Sequence, residues 1–134
     1  MCDDVQTKIE VSPRELADFC VKAADDKKAE NIVCLEVGAI TFIADYFIIC
    51  SANSSTQLTA IQSNIERSVR EQFKVRPISS EGDAFSGWIL VDFGTVLVHI
   101  MTPEIRDRYQ LEKLWGDAPS AEAKQTLELM RPGK

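Results

Sequence analysis

Histidine occurs once in this chain, at position 99, and the four cysteines (Cys2, Cys20, Cys34, Cys50) include no C-x-x-C pair. A zinc site would need three cysteines converging from separate elements, so no metal and no cofactor is expected. Cys34 and Cys50 fall in apolar strand patterns and Cys20 on the apolar stripe of a helix, where free thiols act as small hydrophobes. Long hydrophobic runs are also missing. The longest apolar stretch, Ile43 to Cys50, is broken by Asp45, far short of the ~18 apolar residues of a membrane span. Basic clusters are absent too: 15 Lys and Arg are scattered among 21 Asp and Glu, for a net charge of −6. A phosphate backbone rewards clustered cations, so little direct nucleic-acid binding is expected. The opening Met-Cys-Asp-Asp-Val lacks the basic and apolar regions of a secretory signal and is too acidic for a transit peptide. A cytoplasmic protein without membrane association is the expectation.

What is present suits a compact fold. With 134 residues and 45% hydrophobic content, one domain with a sizeable core is the natural count. Residues 1–118 read as that domain and 119–134 as a C-terminal tail, a frayed helix or disordered. Acidity either keeps a small protein soluble or favours a basic partner through long-range attraction.

Ser12-Pro13-Arg14-Glu15 spells a capping box with proline at the first helical position, and Leu16, Phe19, Cys20, Ala23 and Ala24 then recur at helical spacing. The spacing predicts a helix over 13–28. Asn31 to Val37 and Ile43 to Ser51 read as strands, the second apolar on both faces and so central. A helix capped by Ser54 or Ser55 is predicted as far as Phe73, with Leu58, Ile61, Ile65 and Val69 on one face. Ser79 to Ser86 reads as a polar loop. A hairpin of Trp88–Asp92 and Thr95–Met101 is predicted to turn at Phe93-Gly94, with Thr102-Pro103 opening a short helical segment that Trp115-Gly116-Asp117 closes. The fold class is α/β in an α+β arrangement, a mixed sheet with the two long helices on one face.

That hairpin separates two faces. Ile89, Val91, Val96, Val98 and Ile100 form an aliphatic core face. The other holds Trp88, Leu90, Asp92, Thr95, Leu97, His99 and Met101, with Trp88 expected opposite His99. Its mixture of aromatic, aliphatic and polar groups suits a partner interface; the alternative cover is a third helix or the C-terminal segment of the same chain. Arg106, Arg108, Tyr109, Glu112, Lys113 and Trp115 add a cluster of side-chain types enriched at binding hot spots, while Leu111, Leu114 and Trp115 have the helical spacing to seal the end of the sheet. Catalytic patterns are not found. Asp92-Phe93-Gly94 matches the kinase magnesium motif in letters only, His99 has no nucleophile elbow upstream, and Asp45 has no second carboxylate beside it on its strand to hold magnesium.

Several segments together resemble a known family. They are Asp45-Tyr-Phe-Ile-Ile-Cys-Ser-Ala-Asn-Ser-Ser-Thr-Gln57, Glu81-Gly82, Trp88-Ile-Leu-Val-Asp-Phe-Gly94, Val98-His99, and Glu104-x-Arg106-x-x-Tyr109-x-Leu111-Glu112-x-Leu114-Trp115-Gly116-Asp117. Over about residues 12–118 the chain resembles the ribosomal silencing factors, the Iojap-related proteins. The resemblance implies a nucleotidyltransferase-like fold without the active site and a non-enzymatic translational repressor that is a homodimer when free. It implies binding to the large ribosomal subunit through large-subunit ribosomal protein fourteen, which blocks joining of the small subunit. The partner-binding candidates are then Trp88, Leu90, Asp92, Leu97, His99, Arg106, Tyr109, Leu111, Glu112 and Trp115. Thr95 departs from the family, which often has an acid there, and Gln110 stands where Asn is common. A degenerate nucleotide-handling protein and a general dimeric adaptor are the competing readings.

Overall fold

The computed structural model describes residues 11–115; Cys2 and the expected C-terminal tail lie outside them. Helix α1 (Pro13–Asp26) starts with the capping box the sequence spells. Ser12 Oγ accepts from the Glu15 amide at 3.1 Å, and Glu15 Oε1 accepts from the Ser12 amide at 3.4 Å, which satisfies two orphan donors. Strands β1 (Glu30–Glu36) and β2 (Tyr46–Ser51) follow. Of the two candidate caps for α2 (Ser55–Phe73), Ser54 is the one used, its Oγ accepting from the Gln57 amide at 3.0 Å. The chain continues through β3 (Ser79–Asp83), β4 (Trp88–Asp92), β5 (Val96–Met101), α3 (Pro103–Tyr109) and α4 (Leu111–Leu114).

The five strands form one mixed sheet in the order β1-β2-β5-β4-β3. Only β2 and β5 pair in parallel; the other three pairs are antiparallel. Both central strands are buried at every position, the burial that continuous apolar runs demand. Cys34, Ile48, Cys50, Ile89, Val91, Val98 and Ile100 face Leu16, Cys20 and Ala24 of α1 and Leu58, Ile61, Ile65 and Val69 of α2 in the main core. Both long helices therefore lie on one face of the sheet. Buried Asn64 ties them together, its Nδ2 donating to the Ala23 carbonyl at 2.8 Å. Burial pushes the Cys34 and Cys50 thiols up to about 12, so neither is a ready nucleophile. A second, smaller core lies across the sheet, where Leu35, Val37, Phe47, Ile49, Leu97 and Met101 meet Leu111.

Four expectations need correction. Leu114, read from its spacing as sealing the end of the sheet, is 73% exposed, because Leu111 and Trp115 take the inward positions. Ser79 to Ser86, read as loop, contains β3. Its residues are polar and mostly exposed, so no alternation marks it. It is held by its ladder to β4, Ser79 opposite Asp92 through Asp83 opposite Trp88, and polar exposed residues are what an edge strand needs. The hairpin turns one residue later than expected. Asp92 faces Leu97, Leu90 faces His99 and Trp88 faces Met101, because Asp92 Oδ1 accepts from the Gly94 amide at 2.7 Å and Phe93 N–H donates to the Val96 carbonyl. The displacement is an even step, so the division into two faces survives it. Ile43, placed in a strand from sequence, lies with Ile40 and fully exposed Phe42 in the loop before β2.

Two glycines of the β3–β4 hairpin, Gly82 and Gly87, lie in the left-handed region, and the demand is most severe at the first. Gly82 has φ +82°, and a Cβ there would collide with the Trp88 carbonyl oxygen. Gly82→Ala is expected to destabilise the protein by about 2 kcal/mol, part backbone strain and part lost pairing at the edge, read as a lower Tm. A melting curve coincident with wild type would show that the edge pairing is not as tight as described.

Candidate functional site

A helical corner closes the second face. Thr102 Oγ1 accepts from the Ile105 amide at 3.3 Å and starts α3. Gln110, in the left-handed region at φ 48°, ends α3 and turns the chain into α4. The corner is locked by Arg106, which is 8% exposed. Its Nε and Nη2 donate to Glu112 Oε2 at 3.0 and 2.7 Å, and its Nη1 donates to Ser51 Oγ at 2.9 Å at the end of β2. A buried guanidinium is tolerated because it is paired and hydrogen-bonded at all three nitrogens.

Beside this lock runs a chain of rings. Tyr109 stacks at a tilt on Trp88, with centroids 5.0 Å apart. Trp88 Nε1 donates to His99 Nδ1 at 3.2 Å. His99 meets Phe47 edge-on at 5.4 Å, and Phe47 meets Trp115 edge-on at 4.9 Å, the geometries that aromatic quadrupoles favour. Burial lowers the His99 pKa to about 4, so the imidazole is neutral at neutral pH. Where the rings emerge, Glu81, Gly82, Ser86, Trp88, Leu90, Ile105 and Tyr109 line an open groove of ≈360 Å³.

The structure divides the sequence candidates into three groups. Trp88, Leu90 and Tyr109 lie together along the groove, with Tyr109 48% exposed. Leu97, His99, Arg106 and Leu111 are buried within this chain, and half-buried Glu112 and Trp115 hold the corner over them. Asp92 is apart from both. It lies at the far end of β4 from Trp88, its carboxylate turned back onto the Gly94 amide. The same chain's α3 and α4 thus cover much of the mixed face that the sequence left open to a partner, because Ile105, Leu111 and Trp115 supply the apolar area to do so.

Sequence reasoning missed four participants. Phe47 is hidden in a strand that is apolar on both faces, where periodicity gives no direction. Ser51 and Ile105 act through contacts distant in sequence. Glu81 reaches the groove only because β3 is a strand. The Glu81-Gly82 pair was visible as a motif, and the glycine was the available signal for a tight backbone approach. Among the described residues, no helix is long and apolar enough to cross a membrane.

Comparison with known proteins matches this arrangement to one family. The Ribosomal silencing factor RsfS of Halalkalibacterium halodurans is 42% identical over 113 residues, covering 84% of this chain and 95% of its own. The protein of the same name from Bacillus subtilis is 39% identical, with 84% and 94% covered. A crystal structure of a protein from Chromobacterium violaceum superposes with a TM-score of 0.76 at 31% identity, covering 79% of this chain and 88% of that one. Residues 10–133 match the family described as Ribosomal silencing factor during starvation, a span that runs past Ala118 into the tail. With its sheet, its helical corner and both long helices inside that span, the chain belongs to the ribosomal silencing factor family.

Proposed function

We propose that this protein represses translation by binding the large ribosomal subunit through ribosomal protein fourteen and sterically blocking the small subunit. It acts without catalysis, in the cytoplasm, and is a homodimer when free. The observation that carries the reading is the groove at Trp88 and Tyr109. It combines two half-open aromatic rings with an acidic lining residue, Glu81, a setting for a cationic side chain over a ring face. The net charge of −6 supports it, since an acidic surface speeds encounter with a basic partner. Family membership supports it as well.

Binding of the purified protein to isolated ribosomal protein fourteen tests the target directly. The expected result is a stoichiometric complex that weakens as salt rises. Binding to large subunits without any binding to ribosomal protein fourteen would place the contact elsewhere.

A further inference from the structure

We propose that His99 is a positioning residue, holding the Trp88 indole in its groove orientation before any partner arrives. The proposal rests on the reading of the groove as the ribosome-binding surface. In the sheet, His99 is opposite Leu90 and diagonal to Trp88, a separation that long side chains can span. The indole leans across that diagonal, and its N–H donates to His99 Nδ1 at 3.2 Å. An indole N–H is a donor only, and a neutral imidazole has one donor and one acceptor. The bond therefore assigns the proton to Nε2 and leaves Nδ1 as a permanent acceptor.

The imidazole is held from its other side by Phe47, edge-on at 5.4 Å, and is 7% exposed. Its Nε2 has no hydrogen-bond partner among the described residues. An aliphatic side chain would fill this place without leaving a buried polar atom unpaired. What histidine adds there is the acceptor for Trp88. Tyr109 then flanks the oriented indole at 5.0 Å, so one buried ring sets the geometry of two partly exposed ones. Fixing a contact residue before association reduces the ordering cost of binding.

The test uses the full chain and two variants, His99→Leu, which removes the acceptor, and His99→Asn, whose side-chain oxygen can stand near the Nδ1 position. Nitrogen-15 NMR of the free protein reads the tautomer and the Trp88 indole N–H. The expected wild-type result is a protonated Nε2 and a hydrogen-bonded indole, with the indole signal displaced in His99→Leu and largely restored in His99→Asn. Large-subunit affinity is expected to fall about tenfold in His99→Leu and to return to within about threefold of wild type in His99→Asn. Protonation at Nδ1, or an indole signal indifferent to His99→Leu, overturns the proposal whatever the ribosome does. Wild-type affinity in a folded His99→Leu variant overturns the positioning role. Failure of the wild-type protein to bind large subunits overturns the functional reading instead, since the NMR signature is read without them.

Discussion

Replacing Trp88 with alanine is expected to weaken large-subunit binding by about 2–4 kcal/mol, a rise in Kd between about 30- and 1,000-fold. Trp88 is the ring that links the groove to the buried network. One side packs on the second core, its N–H is satisfied by His99, and its open part lies beside Tyr109. Alanine removes the anchor area and leaves Tyr109 without its neighbour. Because Trp88 also contributes to the core, the affinity is to be compared at matched folding. Trp88→Phe supplies that control, since it keeps most of the packing area while losing the indole N–H. An unchanged Kd in folded Trp88→Ala would remove the groove from the binding surface.

Glu112→Ala is expected to cost about 3 kcal/mol of stability, lowering Tm by roughly 10 °C. The Arg106 side chain stays buried, and its Nε and Nη2 lose the carboxylate that both share. Glu112 is itself 36% exposed, so water replaces part of the lost interaction, which holds the estimate at the lower end for broken buried pairs. Arg106→Leu leaves behind only Ser51 and a carboxylate that can turn to solvent, and it should cost less. The double variant Arg106→Leu with Glu112→Leu should recover much of the loss, because an apolar corner carries no desolvation penalty. A Tm for Glu112→Ala within about 2 °C of wild type would show that Arg106 does not depend on its partner.

The reach of the sequence can be judged residue by residue. The capping box at Ser12 and Glu15 is local chemistry and is found as spelled. The central position of β2 follows from an apolar run with no polar face, and the two hairpin faces follow from strict alternation. Polar β3 escaped because an edge strand is held by backbone bonds to β4, to which side-chain patterning is blind. Asp92 moved the turn by accepting from the Gly94 amide, a local competition that counting alternate residues does not weigh. At the site, the residue types were legible and their depth was not. Leu97 and His99 share a face with Trp88, yet burial there is decided by α3 and α4 folding back, which depends on the left-handed Gln110 and the link from Arg106 to Ser51, 55 residues away.

The central claim is tested most directly by sedimentation. Purified protein is mixed with isolated large subunits, small subunits are added, and the gradient is read for whole ribosomes. The account predicts that the protein travels with the large subunit and that whole ribosomes decline as its concentration rises. Undiminished whole ribosomes with the protein bound, or no association with the large subunit at all, would contradict it.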